Sequence, residues 1–157
     1  MTGVSIVRVL VVEDYIPFRR FISATLSKKR SLQIICEVAD GLEAVKKAEE
    51  LKPDLILLDI GLPTLNGIAA ARLIRKLAPK SKIIFVTTES SADVAQEALN
   101  LGARGYVVKA MAGADLLAAL EVVFSGKQFA SSTLGALHFH LDASQAPDLP
   151  TVTPVLS

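Results

Sequence analysis

The sequence predicts an α/β fold: five strand–helix units around a doubly wound, parallel five-stranded sheet. Two observations carry that expectation. Five short β-branched runs recur along the chain, mostly apolar on both alternations, as strands covered on two faces must be. Between them lie stretches with helical spacing, punctuated by helix-capping residues.

Taken in order, the first run is IVRVLVV, residues 6–12. Phe18, Phe21, Ile22, Thr25 and Leu26 then follow the i, i+3, i+4, i+7, i+8 pattern of one helix face. SKKR, residues 27–30, ends that helix with cations, where the dipole favours them. The second run is LQIICEV, residues 32–38, after which Asp40 and Glu43 have capping-box spacing for a second helix. DLILLD (54–59) and KIIFVTT (82–88) are the third and fourth runs. Ser90 with Asp93 has capping-box spacing for the fourth helix, and Gly102 stands where a left-handed C-terminal cap is wanted. RGYVVK, residues 104–109, is the fifth run; Leu116, Leu117, Leu120, Val123 and Phe124 give the last helix its face, and Gly126 its cap. The expected domain is residues 5–126. Residues 127–157, rich in Ser, Thr, Ala and Pro, read as an extension with a short helix or strand near 129–140 and a flexible end.

Composition narrows the function classes. Hydrophobic residues make up 51% of 157, enough for a globular domain with a real core. A formal net charge of +1 gives no concentrated basic face for nucleic acid. The single cysteine, Cys36, lies in an apolar run and reads as a buried structural thiol. No uncharged stretch approaches the roughly 18 apolar residues of a membrane span, and the N-terminal run lacks the marks of a signal peptide. The expectation is a cytoplasmic protein. HFH, residues 138–140, would put two histidines on one strand face, but no third metal ligand lies nearby.

In open parallel sheets, ligands bind beyond the C-terminal strand ends. There the first run delivers Glu13 and Asp14, the third Asp59, the fourth Thr87 and Thr88, and the fifth Lys109. A flavodoxin-like order 2-1-3-4-5 puts strands one and three side by side, so Glu13, Asp14 and Asp59 would converge. Such carboxylates repel unless a cation sits among them, and an oxygen-only set suits Mg²⁺, with Mn²⁺ as a substitute. Carboxylate, divalent ion, lysine and hydroxyl are the parts of phosphoryl transfer onto an aspartate. No histidine or cysteine stands at these strand ends, which leaves Asp59 as the nucleophile. The Gly/Pro-rich loop GLPTLNG after it, residues 61–67, leaves room for a phosphoryl donor and can offer the Gly61 carbonyl to the metal. Singly, each of these residues could be a turn former, a cap, a strand former or a surface charge; their joint placement carries the reading.

Glu13-Asp14, Asp59, Thr87 and Lys109, at these spacings, resemble the receiver domain of two-component response regulators over residues 5 to 126. The resemblance implies that Asp59 accepts phosphate from a sensor histidine kinase or a phosphotransfer protein. It implies that Asp14, Asp59 and the Gly61 carbonyl ligate Mg²⁺ directly and Glu13 through water, while Lys109 pairs with the phosphoryl group. Thr87 would swing toward that group and draw Tyr106 inward, changing the face of the fourth helix, fifth strand and fifth helix. GARGYVVKA, residues 102–110, resembles the LuxR/NarL-type subgroup, whose members usually carry a helix-turn-helix DNA-binding domain. The expectation is a receiver without that effector, whose partner is an unidentified downstream protein or a second copy in a phosphorylation-driven homodimer, without direct nucleic acid or membrane binding. Two departures stand out: Ala110 follows Lys109 where receivers usually have proline, and Thr88 is bulkier than the usual Ala or Gly. A Mg²⁺-dependent phosphohydrolase and a pseudo-receiver remain as alternatives.

Overall fold

A computed structural model of the chain describes residues 5–135 and 137–139. The elements alternate as expected: β1 (Val7–Val12), α1 (Ile16–Leu26), β2 (Leu32–Val38), α2 (Gly41–Leu51), β3 (Leu55–Leu58), α3 (Gly67–Leu77), β4 (Lys82–Thr87), α4 (Ala92–Asn100), β5 (Gly105–Val108), α5 (Ala112–Phe124) and β6 (Phe129–Ala130). All strand pairs are parallel, and the order is β2-β1-β3-β4-β5-β6.

Strand alternation separates two cores. Leu10, Val12, Ile56, Leu58, Ile83 and Phe85 face the layer of α2, α3 and α4, where small residues such as Ala44, Ala48, Ala70 and Ala98 let helices lie close to the sheet. Val9, Val11, Leu55, Leu57, Ile84 and Val86 face Ile22 and Leu26 of α1 and Leu116 and Val123 of α5. Helices thus cover both faces, and β1 lies between β2 and β3, where the winding reverses.

Capping residues set the helix starts. The Glu43 amide donates to Asp40 Oδ1 at 2.7 Å, as the spacing predicts. At α4 the cap is Ser91, one residue later than expected, with the Val94 amide donating to its Oγ. The shift arises because Glu89 reaches forward and its Oε2 accepts from the Ser91 amide, extending the loop by a residue. Gly102 and Gly126 adopt φ of +117° and +95°, the left-handed conformation expected of them.

The stretch near 129–140, where the sequence predicts a short helix or strand, adds a sixth strand to the expected five-stranded sheet. Past Gly126 the chain returns along the edge of β5, and Phe129 and Ser131 amides donate to the Arg104 and Tyr106 carbonyls, each at 3.0 Å. A two-residue strand is too short to show periodicity, and its drive is the open hydrogen-bonding edge of β5. A single 3₁₀ turn, Ser132–Leu134, then sets Leu134 into the core beside Tyr106, at 5% exposure. Residues beyond 126 therefore pack on the domain at least to Leu134; the predicted flexible end lies outside the described residues, as does His140 of the HFH pair. Leu134→Ala is expected to cost about 2–3 kcal/mol in urea unfolding. An unchanged midpoint would detach this segment from the cooperative unit.

Candidate functional site

The site lies where β1, β3, β4 and β5 end. Val12 pairs with Leu58 in the β1–β3 ladder, and the Asp59 amide still donates to the Val12 carbonyl at 3.1 Å. Glu13 and Asp59 are thereby held side by side at the winding reversal. Both are nearly closed off from solvent, at 1% and 7% exposure, whereas Asp14 is exposed. A carboxylate oxygen from each of Glu13, Asp14 and Asp59 lies within 4.8 Å of the others.

Lys109, at the end of β5, crosses to this cluster. Its Nζ lies 2.9 Å from Glu13 Oε1 and 3.0 Å from Asp59 Oδ2. The remaining oxygens are also engaged: the Ile60 amide donates to Asp59 Oδ1 at 2.7 Å, and the Tyr15 amide to Glu13 Oε2 at 3.0 Å. Burial raises the Glu13 carboxyl above its ordinary range, despite the opposing bonds from Lys109 and Tyr15. Burial works against the Lys109 cation, but hydrogen bonds to Glu13 and Asp59 outweigh it and hold its pKa above the usual lysine value. Lys109 is thus a fixed positive charge at neutral pH.

Around this centre, Thr87 is buried and its Oγ1 accepts from the Glu89 amide at 3.3 Å, while Thr88 is exposed. Tyr106 is fully buried, with its hydroxyl donating to the Glu89 carbonyl at 2.9 Å. Burial first, then the charges of Glu89 and Asp59, raise its phenol above the ordinary range. Its ring lies inside the fold in this structure. Gly61 is exposed in the loop two residues after Asp59. No peptide among the described residues is cis; after Lys109, Ala110 continues into a 3₁₀ turn, Lys109–Met111, that leads into α5.

Sequence reasoning missed two neighbours. The Phe18 ring lies beneath the lysine, its centroid 4.7 Å from Lys109 Nζ, a cation–π arrangement. Arg19 donates from Nη1 to the Glu13 carbonyl at 3.2 Å. Phe18 fitted the apolar stripe of α1; only its place in the first turn, just past the end of β1, could have marked it as part of the site.

Comparison with known proteins decides the family. Residues 9–121 match the response regulator receiver domain. The chain belongs to this receiver family. It is 34% identical to the response regulator GacA of Pseudomonas viridiflava over 125 residues, 80% of this chain and 58% of that protein. A protein-glutamate methylesterase/protein-glutamine glutaminase of Thermotoga maritima is 42% identical over 106 residues, 66% of this chain and 30% of the relative. This receiver therefore spans little more than half the length of the first relative, and less of the second. Among solved structures, a LuxR-family response regulator from Aurantimonas matches with TM-score 0.78 and 29% identity, over 83% of this chain and 93% of that one. The response regulator domain of Thermotoga maritima CheB matches with TM-score 0.68 and 35% identity, over 74% and 94%.

Receiver domains bind Mg²⁺ at an acidic pocket, and this one fits the ion. Three carboxylates face one ammonium here, which leaves an excess of negative charge on hard oxygen donors. None of the described helices is long and apolar enough to cross a membrane.

Proposed function

We propose that this receiver is a phosphorylation switch: Asp59 takes a phosphoryl group from the phosphohistidine of a sensor kinase or phosphotransfer protein, in the cytoplasm. The observation that carries the reading is the Lys109 ammonium bridging Glu13 and Asp59 inside a converged acidic cluster. Asp14, Asp59 and the Gly61 carbonyl would hold Mg²⁺ directly and Glu13 through water. The ion, when bound, supplies charge neutralisation for the transferring oxygens.

The chain's own residues do the rest. An Asp59 carboxylate oxygen attacks phosphorus; a P–O bond forms as the donor's P–N bond breaks, and the histidine nitrogen leaves with that electron pair. Lys109 stays charged throughout and turns from carboxylate pairing to the incoming phosphoryl oxygens. The buried surroundings of Asp59 limit water in the line of attack. Exposed Thr88 flanks the entrance and narrows it for small donors and for hydrolytic water. A phosphohydrolase would want a carboxyl acid two residues beyond its nucleophile, and Gly61 stands there, which supports a phosphoacceptor over a turnover enzyme.

Thr87 would turn its hydroxyl toward the new phosphoryl group. Because Thr87 Oγ1 and Tyr106 both hold Glu89, that turn would reach the face of α4, β5 and α5 through Glu89 rather than through a swing of Tyr106. The output is a contact with a downstream protein or with a second copy of the chain.

The deciding experiment is a phosphate-affinity gel after incubation with acetyl phosphate and with a panel of phosphorylated kinases. A shifted band that needs Mg²⁺ is expected; its absence with every donor would put the pseudo-receiver reading ahead. Asp14→Ala is expected to raise the apparent Kd for Mg²⁺ by at least about tenfold, about 1.4 kcal/mol. An unaltered NMR titration with the metal would remove the acidic pair from the metal site.

A further inference from the structure

The surface of α4 and β5 already carries an occupant: the chain's own residues 128–135 and, further on, 137–138. Gln128 is buried, its Nε2 donating to the Ala103 carbonyl at 2.8 Å. Ser131 is buried and ties this segment to β5, the strand that ends just before the site lysine. Its Oγ accepts from the Val108 amide at 3.1 Å and donates to Asp115 Oδ2 at 2.8 Å. Further along, the segment reaches over to α4. The His138 amide donates to Gln96 Oε1 at 2.8 Å, and Gln96 Nε2 donates back to the His138 carbonyl at 3.0 Å. One amide side chain thus grips one residue's backbone in both directions, while Leu134 plugs the core between the two anchors.

We propose that the segment anchored at Gln128, Ser131, Leu134 and His138 forms a strap that spans β5 and α4 and occupies the receiver's output surface, so that a partner or a second copy engages this surface only after the strap's far end lets go. The strap is fastened to two elements, so it registers any movement of one against the other. The start of α4 hangs on Glu89, which holds the Ser91 amide on its carboxylate, the Tyr106 hydroxyl on its carbonyl and the Thr87 hydroxyl on its amide. When Thr87 turns toward a phosphoryl group, Glu89 and α4 lose that tether, whereas β6 stays paired with β5. The Gln96–His138 clasp is the weaker of the two anchors: exposed on the surface, against a buried Ser131.

This inference rests on phosphorylation of Asp59, and its test separates the two. Amide exchange of His138 is followed by NMR in wild type and Gln96→Ala, each before and after acetyl phosphate with Mg²⁺, with a phosphate-affinity gel run on every sample. In wild type the His138 amide is expected to exchange about tenfold faster once the gel shows the phosphorylated band. In Gln96→Ala it is expected to be fast beforehand and to gain little more. Unchanged protection of His138 in a sample shown to be phosphorylated overturns the strap, as does full protection in Gln96→Ala. If no band forms with any donor, the assignment of Asp59 falls, and the strap falls with it as an output device.

Discussion

Asp59→Asn is expected to give no shifted band with acetyl phosphate or any kinase, and to unfold within about 1 kcal/mol of wild type. The two halves of that result have separate causes. An amide has no anionic oxygen to attack phosphorus, so the chemistry is lost outright rather than slowed. The fold is spared because the substitution is nearly isosteric and the Ile60 amide keeps its acceptor. Lys109 loses one carboxylate partner but retains Glu13 at 2.9 Å, so its charge is not left unpaired. Removing one member of an acidic trio also relieves repulsion, which offsets the lost ion pair. Label taken up to the wild-type extent would show that another residue is the acceptor. A collapse in stability with no label would show instead that Asp59 is structural, and the proposed function would lose its main support.

The strands and the convergence of the residues at their ends were legible for one physical reason. A parallel strand covered on both faces is a block of apolar residues, and its end is marked by the first polar group that needs solvent or a ligand. Asp59, Lys109 and Glu13 stand at such ends, so their convergence follows from strand order alone. What was not legible depends on contacts between distant elements. A short helix or strand is expected near 129–140, but that β6 joins the sheet there is decided by the edge of β5 and by no local pattern. The one-residue slip of the α4 cap follows from a side chain, Glu89, choosing the Ser91 amide. Phe18 obeys the helix stripe perfectly well, and its second contact, with Lys109, exists only because α1 begins directly over the site. For Tyr106 the sequence carries no information on whether its ring lies in or out; burial and the Glu89 carbonyl decide that.

Gly67→Ala is expected to destabilise the receiver by about 2–4 kcal/mol and to slow phosphoryl transfer by about two orders of magnitude. Local propensity argues the other way. Gly67 opens α3, and alanine is favoured over glycine inside a helix by about 1 kcal/mol. Space decides against it. A Cβ on Gly67 would stand 2.0 Å from the Asp59 carbonyl oxygen and 2.8 Å from Ile60 Cα. Both obstacles are backbone, and neither can turn away as a side-chain tip would. The same glycine's amide donates to the Ile60 carbonyl at 2.8 Å, which clamps α3 against the peptide that follows the nucleophile. Relief therefore requires moving Asp59 away from Lys109 and Glu13, or tilting α3 off its Asn66 cap, whose Oδ1 accepts from the Ala69 amide. Either route couples a stability loss to a rate loss. Gly61→Ala is the internal control, since a Cβ there meets nothing within 4 Å. It should leave the urea midpoint within about 0.5 kcal/mol of wild type. Equal stability of the Gly67→Ala and Gly61→Ala chains would mean that α3 does not press on the nucleophile's backbone, and that the site is held by its strands alone.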